Sequence, residues 1–146
     1  MPNVIMTISQ YNKNCIFFCD PIKNNIMLNG EFIRIVYSTR HITMNSIYLN
    51  LPFYIKGVCK YYNKCKYDIE LTSDIEQIKT VEMDMIAMIN VNGKIPQYSI
   101  YDNLVKGCVK TICEFNDEPK SLVLKMSGIW ETETECGITY KFIATV

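Results

Sequence analysis

The sequence predicts a mostly β fold of the α+β kind, a small barrel or sandwich of about six to eight strands with one helix near residues 73–91. Three observations predict it. Apolar and polar residues alternate at period 2 in three separate segments, which marks strands with one buried side. One mid-chain stretch switches to helical spacing. The pair Asn29-Gly30 sits between two apolar runs and is the strongest short hairpin signal in the chain. Residues 1–146 are read as a single domain, because about half of them are apolar and no linker is long enough to divide them.

Taken in order, VIMTIS (4–9) and NCIFF (14–18) are short strand candidates. After the Asn29-Gly30 turn, FIRIVYS places Ile33, Ile35 and Tyr37 on one face and Phe32, Arg34 and Val36 on the other. In ITMNSIYLNL, Thr43, Asn45, Ile47, Leu49 and Leu51 alternate against Met44, Ser46, Tyr48 and Asn50. Ser73 and Glu76 form a capping box, and Ile75, Ile78, Val81, Met85 and Met88 or Ile89 follow as a core-facing helical stripe. Asn92-Gly93 ends that helix and Pro96 prevents its resumption. Residues 98–115 read two ways: YDNLVKG as a helical turn ending at Gly107, and VKTICEF as a strand. LVLKM puts Leu122, Leu124 and Met126 on one face. ITYKFIATV does the same with Ile138, Tyr140, Phe142, Ala144 and Val146. Strands, one helix, then strands is an order that an oligonucleotide-binding barrel permits.

Several function classes are excluded or left without support. No apolar run reaches about 18 residues, so no span of a membrane is expected. The N-terminus MPNVIMTISQYNKN lacks a basic region followed by an apolar one, so a reducing compartment is expected. The seven cysteines include no CxxC pair, so free, buried or idle thiols are expected, with no metal and no cofactor. No P-loop, GxGxxG, GxSxG or HExxH pattern occurs, and the expectation is that the protein is not an enzyme. The lone His41 reads as a turn or surface residue. In WETETECG, an extended chain would point Glu131, Glu133 and Glu135 to one side, either as oxygen ligands for Mg²⁺ or Mn²⁺ or as a solvated hairpin edge. Trp130 reads either as a core anchor or as a stacking platform for a base.

The zero net charge hides an asymmetry. Residues 1–66 hold eight Lys/Arg against two acids, a net of +6, and residues 67–146 hold seven Lys against thirteen acids, a net of −6. The basic half ends in KGVCKYYNKCKY (56–67), read as a loop or short hairpin with no acid in it. Lysines neutralise phosphates and tyrosines stack on unpaired bases, so this pattern points to single-stranded nucleic acid. The candidate binding residues are Lys56, Lys60, Tyr61, Tyr62, Lys64, Lys66 and Tyr67, with Arg34 and Arg40 earlier in the same half. The alternative class is a virion structural or assembly protein acting through β-edge and apolar contacts with a second copy or another viral protein.

Three stretches, FIRIVYSTRHITMNSIYLNLPF, IEQIKTVEMDMIAMI and LVLKMSGIWETETECGITYKF, resemble a family of small proteins of nucleocytoplasmic large DNA viruses. The most specific piece is SGIWETETECGITYKF, residues 127–142. The resemblance implies a viral protein of the host cytoplasm and its viral factory, or one packaged in the virion, and brings no catalytic residues with it. Such viruses encode single-stranded DNA-binding proteins with oligonucleotide-binding barrels, some similar to the bacteriophage T7 type. This chain departs from those by ending in the apolar FIATV rather than an acidic tail, which argues against a replisome-docking role.

Overall fold

The computed structural model describes residues 5–24, 30–61, 64–71, 75–89, 93–112 and 119–145. Ser73, Asn29 and Asn92, and with them the capping box and part of both Asn-Gly signals, lie outside these residues. The strands are β1 (Ile16–Phe18), β2 (Ile22–Asn24), β3 (Gly30–Ser38), β4 (Thr43–Asn45), β5 (Ile47–Leu51), β6 (Phe53–Tyr61), β7 (Lys64–Leu71), β8 (Ile95–Gln97), β9 (Cys108–Ile112), β10 (Ser121–Glu131) and β11 (Glu135–Thr145). The helices are α1 (Ile75–Ile89) and α2 (Ser99–Val105). The mostly β class is the one the alternation predicts, with more strands than the six to eight expected because several are three residues long.

Eight strands form one curled half-barrel sheet, ordered β1-β3-β10-β11-β8, with β2 and β4 also on β3 and β5 on β10. The other three form a second sheet, β6-β7-β9. The chain crosses from one sheet to the other at Pro52, which has no N–H to give to either ladder. The long β10 is shared: residues 122–126 pair with β5 and 128–131 with β3, and a bulge at Ser127 marks the change of partner.

The inner face of the large sheet is the core. Ile33, Ile35 and Tyr37 of β3, Leu122, Leu124 and Met126 of β10, and Ile138 and Phe142 of β11 are all buried there. Helix α1 joins them through Ile78, Val81, Met85 and Ile86. Ile89, not Met88, packs against this core at its end. One alternation slips. At Ser46 the backbone takes φ 77°, so Met44 before it and Ile47, Leu49 and Leu51 after it are the inward residues, and ITMNSIYLNL becomes two strands rather than one. VIMTIS is also no strand: Met6 makes a single bridge to Leu49, and Ile8–Gln10 is a 3-10 turn. Up to Ile112, where the described part of 98–115 ends, the segment resolves as both readings in turn, α2 ending at Gly107 (φ 71°) and then β9.

Candidate nucleic-acid interface

The lysine- and tyrosine-rich stretch 56–67 is not a loop. Its described residues form the two facing arms of the β6–β7 hairpin, paired from Phe53↔Leu71 to Tyr61↔Lys64. Alternation therefore divides it. Lys64 and Lys66 are exposed on one face of β7, while Cys65 and Tyr67 are buried on the other. Tyr67 is a correction: at 4% exposure its ring belongs to the core and offers no face to a base. Lys56 sits at a bulge and pairs with Glu70 at 3.4 Å, both side chains mostly exposed. Lys60 is exposed on the strand opposite Cys65, and Tyr61 closes β6 opposite Lys64. Tyr62 lies outside the described residues. Arg40 is exposed in the β3–β4 turn beside His41 and lines neither of the hollows described below.

Arg34 and Lys66 lead elsewhere. The outer face of the large sheet gathers Arg34 and Phe32 from β3, Tyr48 from β5, and Lys125 and Trp130 from β10. Where β10 changes partner at the Ser127 bulge, Phe32, Arg34, Tyr48 and Lys125 line a hollow of about 360 Å³. The Lys125 ammonium lies 5.8 Å from the centre of the Tyr48 ring. Two rings are seated on glycines. A Cβ at Gly137 would stand 2.7–2.9 Å from three adjoining indole atoms of Trp130, so the indole lies face-down over that glycine. A Cβ at Gly128 would meet the Phe32 ring at 2.6–2.7 Å and the Ile33 carbonyl oxygen at 2.3 Å. Among the strand residues described on this face, Glu135 is the one acid, and it accepts from Gln97 Nε2 at 3.4 Å. Trp130 is thus neither of the two sequence readings in pure form: it is half-buried, on the outer side.

Lys125 stands directly opposite Lys141 of β11, and Lys141 opens onto a second, larger hollow. This cleft of about 730 Å³ lies between β11 and the small sheet. Lys66 of β7 and Lys110 of β9, directly paired, form one wall. Helix α2 adds Asn103, its C-cap adds Lys106, and Asp68 of β7 is the one acid of the lining. Among the described residues none of Arg34, Lys66, Lys106, Lys110, Lys125 and Lys141 has an ion-pair partner. The basic track is built from both halves of the chain, so the +6/−6 division along the sequence does not map onto two sides in space.

Helix α2 is held by a residue that sequence reasoning placed nowhere. Glu82 of α1 is 1% exposed, and its carboxylate accepts from the backbone N–H of Ile100 at 3.0 Å and of Tyr101 at 3.1 Å. It thereby caps the first turn of a helix whose own N-cap, Tyr98, makes no side-chain bond. Burial pushes the Glu82 carboxyl above the usual carboxylate range, against the two N–H bonds that pull it down. In the cleft, Asn103 donates to the Tyr140 hydroxyl, which donates to the Ser99 carbonyl at 3.3 Å, and burial raises that phenol so that it keeps its proton.

The carboxylate row does not form. β10 ends at Glu131, a turn carries Glu133, and β11 begins at Glu135. Glu131 turns inward to pair with Lys94 at 3.2 Å, both nearly buried. Among the described residues no group of three His, Cys, Asp or Glu is placed to hold a metal ion. Among the described residues five cysteines are free thiols, and Cys65 of β7 is disulfide-bonded, against the expectation of free thiols. No described helix is long and apolar enough to cross a membrane. In comparisons with protein-family models, with curated proteins and with solved structures, nothing matches the chain.

Proposed function

We propose that the protein binds single-stranded nucleic acid along the outer face of the large sheet, single-stranded DNA above all if the viral resemblance is followed. One observation carries the reading: Arg34, Lys125 and Lys141, unpaired among the described residues, share a face with Phe32, Tyr48 and Trp130 and with a single acid. Cations without carboxylate partners are free to neutralise phosphates, and the counterions released supply most of the affinity. Half-buried rings lying on the sheet present a π-face that accepts any base, worth about 1–3 kcal/mol per base. The role is binding and positioning, with no catalytic step.

The test uses the sole tryptophan as the reporter. Labelled oligo-dT is titrated at several salt concentrations while Trp130 emission is followed. The expected outcome is saturable quenching, with a log–log salt slope near −2 if the three cations each meet one phosphate. The second reading, an assembly protein, has its own support in Phe17 (56% exposed), Ile22 (56%) and Ile95 (59%), apolar residues of the same sheet. Absence of quenching and of any anisotropy change at low salt would sink strand binding and hand the face to that reading.

A further inference from the structure

The sheet face makes use of the cleft only at Lys141, and the rest of the cleft has a different character. We propose that it is a binding site for a nucleoside polyphosphate, with the phosphates held by Lys66, Lys106, Lys110 and Lys141 and the base edge met by Asn103. Four lysines arrive there from β7, the C-cap of α2, β9 and β11, against one carboxylate, Asp68. Ammonium groups gathered with so little compensation repel one another, and a compact polyanion turns that repulsion into attraction. A di- or triphosphate carries its charge in one cluster. A strand backbone spreads one charge per nucleotide and suits the open row of Arg34, Lys125 and Lys141 better. The volume, about 730 Å³, falls in the range of small-molecule sites.

The uncharged end of the cleft is also built. The bond from the Asn103 amide nitrogen to Tyr140, and from Tyr140 on to Ser99, fixes which way the amide points. Its Oδ1 is left as an acceptor with no partner among the described residues, suited to the exocyclic amine of a base. Phe142 supplies an apolar wall beside it. Because α2 carries Asn103 and ends in its C-cap Lys106, the Glu82 cap sets the position of the base end and of one phosphate contact together.

Cys108 lines the same cleft with a free thiol, which gives a readout independent of strand binding. The protein is alkylated with iodoacetamide in the presence of ATP, GTP, inorganic tripolyphosphate or oligo-dT, and modification is read site by site by peptide mass spectrometry. Cys15, Cys19, Cys59 and Cys136 serve as controls outside the cleft. The expected result is saturable protection of Cys108 by a nucleoside triphosphate. Lys66→Ala and Lys110→Ala should each raise the half-protecting concentration about tenfold, the loss of one charge-assisted contact, and Arg34→Ala should leave it unchanged. Equal protection by tripolyphosphate would overturn nucleoside recognition. Protection by oligo-dT alone would assign the cleft to the strand path, and no protection by any of the four would remove the site. Quenching of Trp130 by oligo-dT is measured in the same samples, so failure of the cleft and failure of the sheet face are told apart.

Discussion

The β6–β7 hairpin and the outer face of the large sheet hold the same kinds of residue in opposite ways. In the hairpin the lysines and tyrosines are dense along the chain and scattered in space: Lys64 and Lys66 point one way, Tyr67 the other, and Lys56 is occupied by Glu70. On the sheet they are sparse along the chain and dense in space: Arg34, Tyr48, Lys125, Trp130 and Lys141 span more than a hundred residues and meet on one surface. Density along a strand is halved by its period of 2, whereas strand pairing multiplies residues that sequence keeps apart. A cluster in a β protein is therefore weighed by register.

Five experiments break or sharpen this contrast. The largest effect belongs to Tyr67→Ala, which should lower stability by about 3–5 kcal/mol as a buried aromatic is lost, with affinity per folded molecule unchanged. A weakened affinity at full folding would return Tyr67 to the interface.

Next comes Glu82→Ala, expected to cost about 1–3 kcal/mol for each of the two N–H groups left without an acceptor. Its pH dependence has a defined sign. The folded state raises the Glu82 carboxyl, so the folded protein holds a proton that the unfolded chain has already released. Stability from this group is complete below the ordinary carboxylate value and is lost as pH rises through the raised one. Denaturation midpoints of the wild type should thus fall more steeply than those of Glu82→Gln as pH rises from the carboxylate range toward neutrality. Parallel curves would mean that the carboxyl is not desolvated.

Tyr48→Ala should then cost about 1–3 kcal/mol in strand affinity if a base stacks there. Combined replacement of Arg34, Lys125 and Lys141 by Ala should flatten the salt slope by about 2 units, against less than about 0.7 for the combined replacement of Lys56, Lys60 and Lys64. A reversal of those two slopes would restore the hairpin as the interface. The smallest effect is that of Lys56→Ala, within about 1 kcal/mol in stability, because its pair with Glu70 is open to solvent.

The parts of this architecture that can be read from sequence are those where a single period runs undisturbed. FIRIVYS and LVLKM bury the residues that alternation assigns, ITYKFIATV buries Ile138, Phe142 and Ala144 and half-buries Tyr140, with Val146 outside the described residues, and the Ile78–Val81–Met85 stripe faces the core. Ser46 was illegible because a left-handed φ in a non-glycine residue leaves no mark on the pattern and yet shifts its phase. Glu82 was illegible because its partners, the Ile100 and Tyr101 N–H groups, become acceptor-seeking only once α2 exists. The binding face was half legible. Arg34 and Lys66 stand out in the sequence for their charge, but Lys125 and Lys141 carry no signal until β10 and β11 set them side by side.

The two rings that lie on glycines tie positions together across generations as well as across strands. Trp130 needs residue 137 to lack a Cβ, and a glycine at 137 leaves bare backbone unless a broad ring covers it. Each half of the pair is unfavourable alone, so a lineage that replaces one must replace both within a short interval or pass through a weakened intermediate. In any set of descendants of this chain, positions 130 and 137 should therefore change in concert, large with small. Position 128 should stay glycine even where residue 32 has drifted, because the Ile33 carbonyl, which no side-chain substitution can remove, bars a Cβ there.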